Sequence, residues 1–201
     1  MSSPVFLLSP ANLGGVRAKQ LISPRAEFDA ALLYRTEAGV PIATAFAFMS
    51  ALYFRGKIAY ARHFAEEGNV FVITPGFGLV PPDWCMNEER MLAMKATPVD
   101  AVEPRYRKPL ERDATELVAR VEESETVVLL GSVATGKYVD VLLPILGPRL
   151  RFPSVFAGLG DMSRGGLMLR AVRENRELEY VSLDAPRRRQ PGGSGKMPST
   201  W

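Results

Sequence analysis

Cysteine and histidine are almost absent from this chain: Cys85 and His63 stand alone among 201 residues. One cysteine excludes an internal disulfide and a cysteine-only zinc site, and it fits a reducing, cytoplasmic setting. His63 has no Asp, Cys or second His beside it at ligand spacing, so neither a metal nor another cofactor is expected. A Ser–His–Asp triad would have to recruit His63 from within a helix. Long hydrophobic runs are also missing. The uncharged stretch from Ala38 to Phe54 falls short of the ~20 residues that span a bilayer and contains Gly39, Pro41, Thr44 and Ser50. It reads as a buried core helix, and no membrane partner is expected. Met1 to Pro4 has no basic residue and Val5 to Leu8 is short, so no secretory leader is expected either.

Charge of one sign is missing from the body of the chain. The formal net charge is +3, but the segment 185–201 holds Arg187, Arg188, Arg189 and Lys196 and no acid, so the remainder carries −1. Basicity at that end does not by itself mark a nucleic-acid-binding domain. With Pro191-Gly-Gly-Ser-Gly195 and no core-forming pattern, 185–201 is expected to be a disordered basic tail. Residues 1–184, with no internal repeat, are expected to form one α/β domain. The overall composition, 47% hydrophobic and 23% charged, is that of an ordinary globular protein.

Short apolar runs alternate with helical spacing along that body. Val5 to Ser9, Val70 to Thr74, Thr126 to Leu130 and Phe152 to Phe156 read as buried strands, and Leu178 to Leu183 as a last extended element. Helices are expected over Arg25–Thr36, from Pro41 to about Glu67 with a bend at Gly56, and over Leu110–Glu123, Lys137–Leu146 and Leu167–Glu174. The proline-spaced run Thr97–Pro109 reads as a surface excursion. This order predicts an α/β fold with a mainly parallel sheet of four to five strands flanked by helices.

In a parallel sheet the carboxyl ends of the strands share one edge, where ligands of open α/β sheets bind. Four loops fall there. The first, Ser9-Pro-Ala-Asn-Leu-Gly-Gly15, offers Asn12, whose amide both donates and accepts and so suits a nucleobase edge, or alternatively closes an Asx-turn. The second, Pro75-Gly-Phe-Gly78, holds Phe77 between glycines, either to stack on a base or to fill the core. The third, Gly131-Ser-Val-Ala-Thr-Gly-Lys137, nearly matches a phosphate-binding loop, but Tyr138 stands where Ser or Thr would ligate magnesium. The fourth, Gly158 to Gly166, carries Asp161 and Arg164 at the start of a helix, where bare N–H groups favour anions. Arg55, Lys57, Tyr60 and Arg62 read as a solvated basic face.

Phe77-Gly-Leu-Val80 with Pro82-Asp83, then Gly131-Ser132 and Tyr138, then Ala157-Gly-Leu-Gly160, resembles a group of small bacterial proteins. That group is related to the YaaA peroxide-stress proteins and to the uracil-DNA-glycosylase-like domain of archaeosine-type tRNA-guanine transglycosylases. The similarity runs in short islands over roughly residues 5 to 175. It implies a uracil-DNA-glycosylase-like fold whose crevice takes an extruded base. By that resemblance Asp161 and Asn12 are catalytic, Phe77, Ser9 and Tyr138 contact the base, and Ser132, Lys137, Arg164 and Gly160 contact phosphate. The implied partner is nucleic acid, DNA ahead of RNA, with a modified base as substrate and defence against phages with modified DNA as a setting. The chain departs from the pattern in three places: it lacks a His-Pro-Ser loop, has Phe77 for tyrosine, and breaks the late glycine run with Asp161 and Arg164.

Two other functions fit the same residues. One is a non-catalytic nucleic-acid-binding module led by Arg187–Arg189 and Lys137, with steep salt dependence. The other is a nucleotide-dependent enzyme built on the loop at 131–137.

Overall fold

The computed structural model describes residues 3–183; the expected basic tail at 185–201 lies outside the described residues. The first apolar run forms a strand, Val5–Leu8 (β1), buried along its whole length and stopped by Pro10. Three further runs pair in parallel beside it: Val70–Thr74 (β3) on one side, Val127–Leu130 (β6) on the other, and Leu150–Pro153 (β7) beyond β6. Short antiparallel strands, Gly78–Val80 (β4) and Tyr180–Ser182 (β8), close the two edges. The sheet therefore has six strands in the order β4-β3-β1-β6-β7-β8, not the expected four to five. A separate two-stranded ribbon joins Val40–Pro41 (β2) to Cys85–Met86 (β5).

Alternation along the strands divides the core in two. Phe6 and Leu8 face one side with Val70, Val72, Val128 and Leu130. Helices Val16–Leu21 (α1), Asp29–Tyr34 (α2), Ile42–Met49 (α3), Ala51–Phe64 (α4) and Asp161–Arg173 (α8) contribute to that layer. Val5, Leu7, Val127 and Leu129 face the other side, covered by Pro104–Arg120 (α6) and Val139–Leu146 (α7). Strands buried on both faces need near-continuous apolar sequence, which is why these runs were readable as strands. Each large core side chain contributes about 1.5–3 kcal/mol on burial.

Several boundaries differ from those expected. The long helix after Pro41 breaks at Ser50 rather than bending at Gly56, and Ala51 takes the left-handed conformation with φ 46°. Gly56 stays helical because it faces Gly165 of α8; a Cβ there would lie 2.7 Å from the Gly165 carbonyl oxygen. The helix expected over Arg25–Thr36 covers only Asp29–Tyr34. The surface excursion becomes helical at Pro104, which occupies the first turn of α6 while Glu103 caps the Arg105 amide. An unexpected helix, Glu88–Lys95 (α5), starts where Asn87 accepts from the Arg90 amide at 3.1 Å. The strand expected over Phe152–Phe156 ends at Pro153 and continues as a single 3-10 turn. Among the described residues no helix is long and apolar enough to cross a membrane.

Chain order sets the position of the site. From β1 the chain crosses one face to β3, then returns over the other face to β6 on the opposite side of β1. The loops after β1 and β6 thus depart toward opposite faces, leaving a crevice between their carboxyl ends. That is the topological switch point of the sheet.

Candidate functional site

A cleft of about 640 Å³ opens at this switch point, within the range of small-molecule sites. Each of the four parallel strands sends a residue to it: Ser9 and Asn12 after β1, Pro75 after β3, Ser132 and Tyr138 after β6, and Asp161 after β7. Ser50 and Tyr53 form a wall at the break between α3 and α4, and the end of α5 contributes Lys95 and Thr97.

The β1 loop is held from two directions. Ser9 extends the sheet ladder, its amide donating to the Leu130 carbonyl at 3.2 Å. Asn12 lines the cleft, and its Oδ1 accepts from the Gly14 amide at 2.9 Å, closing an Asx-turn that leaves Nδ2 without a role in the turn. The Asx-turn reading of Asn12 is therefore observed, with the residue also on the cleft wall. Across the crevice Gly131 lies against Ser9, and a Cβ at Gly131 would sit 2.9 Å from the Ser9 Cβ.

The β6 loop brings Lys137 and Tyr138 to the rim and floor. Buried Tyr106 donates to the Lys137 carbonyl at 3.1 Å, fixing the backbone there while the lysine side chain stays exposed. The following helix begins at Val139, two residues later than a phosphate-binding loop requires for its Gly-Lys step. Tyr138 is buried, and burial pushes its phenol up to about 12, offset in part by a hydrogen bond with Ser9.

Asp161 opens α8, a helix of 13 residues whose N-terminus has no side-chain cap. Its carboxylate is exposed and stands 3.8 Å from Arg164 Nη1. Arg164 is largely engaged elsewhere. Nε and Nη2 donate to the Phe156 carbonyl at 3.2 and 3.0 Å, so the guanidinium braces the turn that presents Asp161. Neither Arg164 nor Gly160, the residue before the helix, lines the cleft, and the phosphate contacts expected of them have no counterpart in its lining.

Phe77 also lies apart. After β3 the chain turns back antiparallel into β4, and this hairpin packs Phe77 on Trp84 at 5.2 Å between ring centroids, against the core. This packing matches the core-filling reading of Phe77 rather than the stacking role the resemblance implies, since β3 is followed by a hairpin, not a crossover helix.

Two residues at the site escaped the sequence reading. Tyr53 lines the cleft with its hydroxyl buried. Burial pushes its phenol up and the Arg164 guanidinium draws it back down. Lys57, expected on a solvated face, is 1% exposed. Its Nζ donates to Ser9 O at 2.7 Å and to Ser9 Oγ at 2.8 Å, and lies 4.2 Å from the centre of the Tyr53 ring. Burial lowers its pKa to about 7, with Asp161 acting upward and Arg164 downward. The available signal was spacing: Tyr53, Phe54, Lys57, Tyr60 and Ala61 recur at three and four residues, placing Lys57 on the apolar side of α4. Arg55 and Arg62 do face solvent.

The cleft thus combines amide, hydroxyl and phenol groups with one carboxylate and two rim lysines, Lys95 and Lys137. Comparison of the chain with protein-family models, with curated proteins and with solved structures finds no match.

Proposed function

We propose that the protein is an N-glycosylase-like enzyme that takes an extruded or single-stranded nucleobase into this cleft and hydrolyses its bond to the sugar. The observation that carries the reading is the meeting of Asn12 and Asp161 on one cleft at the switch point, with Ser9 and Tyr138 between the loops that bear them. Asn12 Nδ2 and Ser9 contact the edge of the base. The aromatic wall is Tyr53 and Tyr138 in place of Phe77. Asp161, at the mouth, stands where a sugar lies when its base is inside, and there it orients water and offsets positive charge developing on the sugar ring. Lys95, Lys137 and Ser132 lie at the rim, suited to a sugar–phosphate backbone. DNA is the first substrate to test, with a modified base, and the cytoplasm is the setting.

The experiment is incubation with single-stranded oligonucleotides carrying uracil, hypoxanthine, 5-hydroxymethyluracil or a 7-deazaguanine, followed by alkali cleavage at abasic sites. Abasic product from the wild type, with rates lowered about 10²-fold or more in Asp161→Ala and Asn12→Ala, is expected. Oligonucleotide binding without base release leaves a binding module. Unchanged base release in both variants removes the assignment.

A further inference from the structure

The chemistry just proposed leaves one buried ionisable group unused. Lys57 lies behind the wall of the cleft, and lysines are almost never buried without a partner. Here the partners are neutral: the carbonyl and hydroxyl of a single residue, Ser9, and the face of the Tyr53 ring. Among the described residues no carboxylate makes an ion pair with it. A methionine would fill the same space without the cost of burying an ammonium group. The ionisable groups around it are Asp161 and Arg164 from α8, Tyr53 from its own helix, and Tyr138, which reaches the same Ser9 hydroxyl.

Ser9 lines the cleft and Lys57 does not, so the lysine meets a ligand only through the serine. Tyr53 stands beside Ser9 in the cleft wall, 7% exposed, with the Arg164 guanidinium acting on its hydroxyl. Cleaving an N-glycosyl bond needs a proton delivered to the departing base, and Ser9 Oγ is the group held against the lysine ammonium at 2.8 Å.

The geometry points to a proton relay in which Ser9 gives its hydroxyl proton to a ring nitrogen of the leaving nucleobase and Lys57 replaces it. The relay rests on the glycosylase reading and deepens it. As the bond between the sugar carbon and the base opens, its electron pair goes to the base. The base nitrogen takes the Ser9 proton, and Ser9 Oγ takes one from the Lys57 ammonium, which becomes a neutral amine. Water adds hydroxide to the sugar carbon and leaves its own proton on Asp161. Asp161 then loses its proton to solvent and Lys57 regains one from it, so both residues are restored, one water is consumed and no redox partner is needed. Lys57 is the positioning and proton-supplying residue, and Ser9 is the one that touches substrate. With a pKa of about 7, the lysine stands near neutrality, where an acid that must both give and regain a proton is most effective.

The test follows single-turnover base release from the oligonucleotide cleaved by the wild type, against pH, in wild type, Lys57→Ala and Ser9→Ala. The wild-type rate is expected to fall as pH rises through about 7. Lys57→Ala is expected to lose about 10²-fold, to lose that limb, and to regain at least roughly ten-fold on adding ethylamine. Ser9→Ala keeps the backbone carbonyl that Lys57 bonds and is expected to lose a comparable rate without rescue. A limb unmoved in Lys57→Ala, no amine rescue of it, or full activity in Ser9→Ala overturns the relay while leaving the glycosylase reading intact. Melting curves of both variants separate these outcomes from unfolding. No base release by the wild type from any oligonucleotide overturns the glycosylase reading, and the relay with it.

Discussion

Asn12 and Lys57 show how much a single residue type conceals. The Asn12 oxygen accepts from the Gly14 amide while the residue lines the cleft, so its side chain shapes the loop at the site. Lys57 holds its charge among apolar neighbours, and this has a consequence for stability. In the unfolded chain the lysine stays protonated to its ordinary value of 10.5; folding lowers that to about 7. Between those values the unfolded state binds more protons, so the cost of burying Lys57 is greatest below about 7 and shrinks as pH rises toward 10.5. Across that range the unfolding free energy of the wild type relative to Lys57→Met is expected to rise with pH by up to about 1.4 kcal/mol per pH unit in denaturant unfolding. A difference independent of pH contradicts the buried-amine assignment. That Ser9, Asn12, Tyr138 and Asp161 line one cleft was legible because they lie in or directly after loops that follow apolar strand runs. Lys57 was not, because Arg55 and Arg62 around it make the segment read as a charged face.

At the scale of elements, the site depends on how closely α4 approaches α8. Gly56 and Gly165 meet backbone to backbone: a Cβ on Gly165 would lie 2.6 Å from the Leu52 carbonyl oxygen. This contact sets the wall bearing Tyr53 and Lys57 against the helix that begins with Asp161. Gly165→Ala is therefore expected to destabilise by about 1–3 kcal/mol, read from denaturant unfolding. Adding Gly56→Ala should cost less than the sum of the two, because both methyls relieve the same contact by moving the helices apart. Strict additivity contradicts a shared contact. A glycine within a helical pattern reads from sequence as a bend. The bend falls instead at Ala51, whose left-handed conformation costs about 1–2 kcal/mol and which no local pattern marks. The strands were easier to read, since β1, β3 and β6 each require an unbroken apolar run. The three-residue β4 carries too little pattern to be seen, so the hairpin that packs half-buried Phe77 against the core was not legible.

For the whole molecule, the order β4-β3-β1-β6-β7-β8 makes one place where loops part toward both faces, and the cleft lies there. The strand-end loops converge at that place because the parallel strands all end on the same edge. The alternation of strands and helices made the shared edge legible; the crossing of β1 between β3 and β6, a matter of long-range pairing, was not. The most direct measurement is single-turnover base release from the modified-base oligonucleotides by wild type, Asn12→Asp, Asp161→Asn and Phe77→Ala. Asn12→Asp keeps the turn-closing oxygen and removes the amide donor, so it should fold normally and slow base release about 10²-fold, as should Asp161→Asn. Phe77→Ala should lower the melting temperature and leave the rate, measured below melting, within a few-fold of the wild type. Base release that tolerates Asn12→Asp and Asp161→Asn yet fails in Phe77→Ala would contradict the placement of the chemistry in this cleft.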